Sequence, residues 1–369
     1  MSGKNVDELV ARFSVSQDAD ELKRLFCQIQ AAAVDGDPRA LIELGHFYRL
    51  GVFVYPDLCT ALALYSAAAR TDPNGMLQKG ACLSADFELE VEARVCLESA
   101  LADGVAEAGY WLAASLYSSG DGFSVRVVDL QKTALENGVG LSYIWEGRRI
   151  LVEPESTPEA RTAAVKHLLH AAVDLGEPIG FEQLAALILN GEHPDDRLGV
   201  VDALDYLEQG ARLGSADCLG RIGALYLEGL GETLAPDRDR ALPVLHTAAM
   251  KGDASSRYSL GFLYMLGKGV APCPKTAAEL FELAAAASGD ARAQYATSVC
   301  YRNGDGVSPD ARIANRWFSL ALKGGSLAAL EAIKDPERNS KLVDRSLAQE
   351  PSFRARMAEP LHAGRSISG

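Results

Sequence analysis

His167 and His170 stand three residues apart on a stretch that reads as a helix, so both imidazoles could reach one metal ion. No carboxylate or cysteine at ligand spacing completes the site, and a pair of helix-surface histidines is the plainer reading. Asp237 and Asp239, in the run Pro236 to Ala241, have the look of a calcium loop but lack its glycine and distal glutamate. They suit a helix start, where carboxylates cap free N–H groups and complement the dipole. Seven cysteines, at 27, 59, 82, 96, 218, 273 and 300, give an odd count with no two closer than fourteen residues. That argues against a disulfide ladder and against a Cys-x-x-Cys metal site, and buried free thiols fit better, although Cys82 and Cys96 share one stretch. The chain has no dinucleotide fingerprint, phosphate-binding loop, paired-histidine zinc helix or nucleophile elbow. An enzyme would need a cluster drawn from distant segments, such as His246 with Asp253 or Glu228, and nothing in the local spacing supports one. The expectation is a protein with no catalytic, cofactor or metal residues.

The glycine turns point to the elements behind these residues. Gly120-Asp121-Gly122, Gly267-Lys268-Gly269 and Gly304-Asp305-Gly306 could pass for phosphate cradles, but they recur at one place in a tandem pattern. Its openings fall at Gly36, Thr71, Gly104, Gly138, Gly176, Gly214, Gly252, Gly289 and Gly324, spaced by 33 to 38 residues. Nine residues on comes a small residue in most copies: Gly45, Gly80, Ala113, Gly147, Ala185, Gly223, Gly261 and Ser298. A small side chain there lets two helices approach. Three further on sits Tyr48, Leu83, Leu116, Ile150, Ile188, Tyr226, Tyr264 or Tyr301, on the same helical face. After the turn comes an alanine-rich second helix carrying a large residue, as in Ala61 and Tyr65, Ala277 and Phe281, or Ala314 and Trp317. The run Ala248-Ala249-Met250-Lys251-Gly252 reads as a helix end with its lysine near the negative pole. One such unit cannot bury its apolar faces alone, whereas stacked copies form a continuous core.

These residues resemble the Sel1-like repeats, a subclass of the tetratricopeptide-type helical repeats. Ala40, Leu44, Gly45, Tyr48, Gly51 and Asp57 match the family pattern, as do Leu260, Gly261, Tyr264, Gly267, Gly269 and Val270, and Ala293, Tyr301, Gly304, Gly306 and Val307. The copies opening at Thr71, Gly138 and Gly176 lack the paired-glycine turn. The last two carry polar stretches instead, over 153–158 and 191–196. The resemblance implies adaptors in signalling, secretion, envelope assembly or complex formation, often in bacteria.

The chain should therefore be all-α: an α/α superhelical solenoid of about eight helix-turn-helix repeats with helical caps. A leading cap or degenerate repeat occupies 1–35, with Asp18 or Asp20 as N-cap and Leu22, Leu25, Phe26 and Ile29 on one face. The solenoid covers 36–333, and 334–369 should supply a capping helix and a disordered tail. At 369 residues with 48% apolar side chains, a large core is affordable. The only strand-like run, Phe123 to Val128, is short and interrupted by Arg126. The first fifteen residues hold no apolar stretch of a secretory signal, and no run approaches eighteen apolar residues, so a cytoplasmic protein without a membrane span is expected.

With 36 basic against 50 acidic residues the formal charge is −14, which disfavours nucleic-acid binding and would steer a basic protein partner. In helical repeats the first helix of each pair lines the concave face. Its outward residues Arg49, Tyr110, Tyr117, Arg148, Tyr258, Phe262, Met265, Tyr295 and Arg302 are the candidate partner-binding set, being of types enriched in interface cores. Packing between repeats is the competing role for several. The sequence thus describes a non-catalytic interaction scaffold or adaptor. A dedicated inhibitor or immunity protein occluding an effector enzyme is the alternative within binding, an enzyme assembled between repeats is the remote one, and self-association is left open.

Overall fold

The copies opening at Gly36 to Gly289 each become a pair of helices. The computed structural model describes residues 6–152 and 157–334. Among them nineteen α-helices follow one another, and the only β pairing is an isolated bridge between Leu230 and Leu234. The leading pair is α1 (Val6–Val15) and α2 (Ala19–Val34), the latter capped by Asp18, whose carboxylate accepts from the N–H groups of Asp20 and Glu21. Then come α3 (Pro38–Leu50) and α4 (Leu58–Ala68), α5 (Asn74–Leu83) and α6 (Glu90–Ala102), α7 (Glu107–Leu116) and α8 (Val125–Glu136), and α9 (Gly140–Val152) and α10 (Pro158–Leu169). They continue as α11 (Pro178–Asn190) and α12 (Val200–Arg212), α13 (Ala216–Glu228) and α14 (Arg238–Met250), α15 (Ala254–Leu266) and α16 (Pro274–Ser288), and α17 (Ala291–Asn303) and α18 (Ala311–Lys323), followed by α19 (Leu327–Lys334). The strand-like run at 123 is taken up by α8, which Ser124 caps. The capping helix and tail expected after 334 lie outside the described residues.

The repeat's aspartates explain where second helices begin. Asp57, Asp237 and Asp310 are the N-caps of α4, α14 and α18. The backbone N–H of each also donates to the carbonyl of a tyrosine in the last turn of the first helix, Asp57 to Tyr48 at 2.9 Å, Asp237 to Tyr226 at 2.6 Å and Asp310 to Tyr301 at 2.9 Å. The turn between them needs Gly304 and Gly306 at φ of 83° and 77°, and a β-carbon on Gly306 would also strike the backbone of Pro274.

The small residue nine positions into a repeat meets the large residue of its own second helix. A β-carbon on Gly45 would collide with the Tyr65 ring, one on Gly80 would lie 2.6 Å from Leu97 Cγ, and one on Gly223 2.6 Å from Leu245 Cδ2. At Gly261 it would lie 2.6 Å from Phe281 Cε1. These knobs are buried, and around Phe281 they join Tyr258, Phe262 and a layer of alanines in one core cluster.

The contacts divide the chain into two compact units. The first is Met1–Arg49 with Asp57–Cys218, and the second is Leu50–Pro56 with Leu219–Gly369. No described helix is long and apolar enough to cross a membrane.

Candidate protein-binding surface

The nine sequence-predicted residues fall into three registers of the first helix. Tyr110, Tyr258 and Tyr295 come six residues after an opening glycine, Arg148 and Phe262 ten, and Arg49, Tyr117, Met265 and Arg302 thirteen. Seven residues is close to two turns, so all three registers share one face. The structure places Tyr110, Tyr258, Phe262 and Tyr295 in the core, with 4 to 6% of each surface exposed. Tyr258 meets Phe262 and Phe281 at ring distances of 4.8 and 5.8 Å and lies under the Arg292 guanidinium at 5.0 Å. Burial pushes the phenols of Tyr110 and Tyr295 up to about 12. These four pack between helices. The stripe reaches the surface only near the C-terminal end of the helix, where Arg49 is exposed and Met265 and Arg302 are half-buried. Arg302 lies over the Phe318 ring at 5.3 Å. Arg148 is half-buried beside Tyr110, and desolvation lowers its pKa.

Tyr117 is 43% exposed, and sequence reading missed its company. Phe123, 55% exposed, approaches it at 5.0 Å, and Trp145 of α9 lies 6.4 Å from Tyr117 and 5.8 Å from Phe123, all three pairs edge to face. A π-turn over Tyr117–Asp121, with Gly120 at φ 102°, ends the first helix and brings Phe123 back onto the tyrosine. The signal was there: Phe123 follows the paired glycines where other copies place Val270 and Val307. A large aromatic ring on an exposed turn has no core to fill.

In the second unit the surface of α15 is taken by the segment Leu50–Pro56. Arg257, only 2% exposed, donates from Nη1 to the Leu50 carbonyl (2.6 Å), from Nη2 to the Gly51 carbonyl (2.7 Å) and from Nε to the Ala249 carbonyl (3.1 Å). Burial brings its pKa down to about 10. Val52 is buried, and the Tyr55 hydroxyl donates to Glu282, which also accepts from Tyr301 at 3.0 Å. Lys251, at the end of α14, is 8% exposed rather than solvated, and desolvation drops it to about 8.

The other chemical candidates resolve into local structure. His170 Nδ1 pairs with Asp174 at 2.7 Å, and both His167 and His170 lean on the Tyr143 ring. Asp237 caps α14, as its position before an alanine-rich run suggested. His246 shares a hydrogen bond with the Tyr264 hydroxyl at 3.2 Å, while Asp253 caps α15 by accepting from the Ser256 N–H at 2.6 Å. The cysteines are free thiols, but only Cys96, Cys218 and Cys300 are buried; Cys27 and Cys59 are exposed because they face out from their helices. Among the described residues no group of three or more potential ligands could hold a metal ion.

The charge is divided unevenly. The first unit holds 34 acidic and 17 basic residues, a formal −17, and the second holds 16 and 19, a formal +3.

Helix pairs stacked by a repeating small-on-large contact, with side chains emerging at the helix ends, define an α-solenoid of the tetratricopeptide-like class. Within that class the chain carries four Sel1 repeats, at residues 38–70, 216–253, 254–288 and 291–326. Among solved structures it is similar to a Sel1 repeat protein from Oxalobacter formigenes (22% identity, 90% of this chain and 88% of the other, TM-score 0.48). It is also similar to a protective antigen of uropathogenic Escherichia coli with the same repeat fold (21%, 92% and 70%, 0.46). An immunity protein from Pseudomonas aeruginosa is a third (20%, 72% and 84%, 0.37). No curated protein sequence gives a significant match.

Proposed function

We propose that this protein is a non-catalytic interaction scaffold of the cytoplasm that binds a partner protein through the exposed ends of its first helices. Sel1 repeats in general mediate protein binding. The observation that carries the reading is the exposed pair Tyr117 and Phe123 with the half-buried Trp145 against them, because exposed aromatic side chains on a rigid helical frame are the usual anchors of protein interfaces. In the first unit Arg49 and Arg148 extend the contact, with Tyr110 beneath; in the second unit Met265 and Arg302 form a candidate surface of their own, with Tyr258, Phe262 and Tyr295 beneath. A second reading, a dedicated inhibitor that occludes a basic enzyme, is favoured by the −17 charge of the first unit.

The test is affinity capture with wild type and with Arg49→Ala/Tyr117→Ala, both checked for unchanged melting. The reading expects partners that the variant loses. Equal capture by both proteins refutes the surface. One stoichiometric enzyme, bound at nanomolar affinity and inhibited, selects the inhibitor; several partners of one pathway select the adaptor.

A further inference from the structure

We infer that the Tyr117, Phe123 and Trp145 rings dock a cationic, arginine-rich segment of the partner. The inference rests on the binding reading above and names the chemistry of what binds. The three rings meet edge to face at 5.0 to 6.4 Å, with Tyr117 and Phe123 exposed and Trp145 half-buried beside them. Ring faces carry the negative lobe of the aromatic quadrupole, and a planar guanidinium stacks on them better than an ammonium does.

Charge adds a second argument. The unit that carries the rings is the one at −17, so a cationic segment is drawn to this unit and an acidic one is repelled. Three of the cations around the rings are paired, Arg94 with Glu90, Arg126 with Glu98 at 2.5 Å and Arg149 with Glu146 at 2.6 Å, while Arg148 is half-buried beside Tyr110. The protein also shows the pairing internally. Arg240 lies over Tyr226 at 5.7 Å, Arg292 over Tyr258 at 5.0 Å and Arg302 over Phe318 at 5.3 Å. At the register where one repeat offers Arg302 to a ring, another offers Tyr117 as the ring itself, and no guanidinium of the described residues lies over it.

Trp145 supplies the readout, since it is one of only three tryptophans. The full chain is titrated at fixed moderate salt with a decapeptide of alternating arginine and glycine, following indole fluorescence. Peptides with glutamine or glutamate in place of arginine serve as controls. The expected result is saturable binding of the arginine peptide, weakened at least tenfold by Tyr117→Ala/Phe123→Ala and absent for both controls. A single Phe123→Lys variant, which places a cation on an already exposed position and leaves the fold intact, should weaken it comparably. Arginine-peptide binding that is equal in wild type and variants, equal binding of the glutamine peptide, or no saturable signal overturns the inference. If the arginine peptide fails while Tyr117→Ala still abolishes capture of the partner, the scaffold reading stands and only the cationic chemistry falls.

Discussion

Alanine at Gly261 should destabilise the protein although alanine is the better helix former. The β-carbon would sit 2.6 Å from Phe281 Cε1, 2.8 Å from Cδ1 and 3.0 Å from Cζ, well inside the ~3.5–4.0 Å of a comfortable carbon contact. The ring cannot retreat, since it is 1% exposed and held by Phe262 at 5.0 Å and Tyr258 at 5.8 Å. Overpacking of this kind costs about 1–3 kcal/mol, and removing glycine from a helix interior returns about 1 kcal/mol, so Gly261→Ala nets a loss of roughly 0–2 kcal/mol. Leucine, with more atoms in the same gap, belongs at about 2–3 kcal/mol. Gly109 is the control: its β-carbon would meet Leu101 Cδ1 at 3.7 Å and the Leu130 carbonyl at 3.8 Å, ordinary contacts, so Gly109→Ala should stabilise by about 0.5–1 kcal/mol. Circular-dichroism melting should show a shift of about 2–4 °C per kcal/mol, down for Gly261 and up for Gly109. Combining Gly261→Ala with Phe281→Leu should cost at least ~0.5 kcal/mol less than the two changes added. A higher melting temperature for Gly261→Ala, or strict additivity with Phe281→Leu, refutes the small-on-large packing.

Other consequences can be measured the same way. Gln131 is 3% exposed with neither amide atom partnered, in the register that Leu97 and Leu245 fill elsewhere; Gln131→Leu should therefore stabilise by about 1–3 kcal/mol in urea unfolding, and a loss would mean the amide is satisfied in solution. Arg257→Met strips the Leu50 and Gly51 carbonyls of their donor, so chymotrypsin should cut after Phe53 faster than in wild type; an unchanged rate would show that the segment is held without the arginine. Lys251 titrates near 8 when folded against 10.5 ordinarily, so between those values the unfolded chain binds more protons and stability rises with pH. The thiols of Cys82, Cys96 and Cys300, raised by desolvation, act the opposite way, and the informative quantity is the difference between wild type and Lys251→Met from pH 8 to 10. That difference should grow in favour of wild type as pH rises; a flat difference would show that the ammonium is solvated.

The periodic contacts were readable because each repeat states them again. Gly45 against Tyr65 and Gly261 against Phe281 follow from a small residue and a large one at fixed offsets, and the aspartate caps follow from a carboxylate placed before an alanine-rich run. Depth along the stripe was not readable. Tyr258 and Met265 share a helix face, and only the neighbouring helices decide that the first is covered and the second emerges. The docking of Leu50–Pro56 joins residues 206 and 207 positions apart, beyond any local pattern, although Arg257 stood out as a charge in a register that holds Leu41, Met76 and Leu219 elsewhere. The aromatic group was half legible: Tyr117 lay on the stripe, but Phe123 joins it only through the π-turn and Trp145 only through the next helix.

Site-specific photocrosslinking tests the central claim most directly. A benzophenone amino acid is placed at Tyr117, and in a second protein at Val95, which is 61% exposed on a second helix of the same unit. The account predicts that irradiation with the captured partner present joins it to position 117 and leaves position 95 bare. Crosslinks from 95 with none from 117 would place the partner on the opposite set of helices and contradict the account.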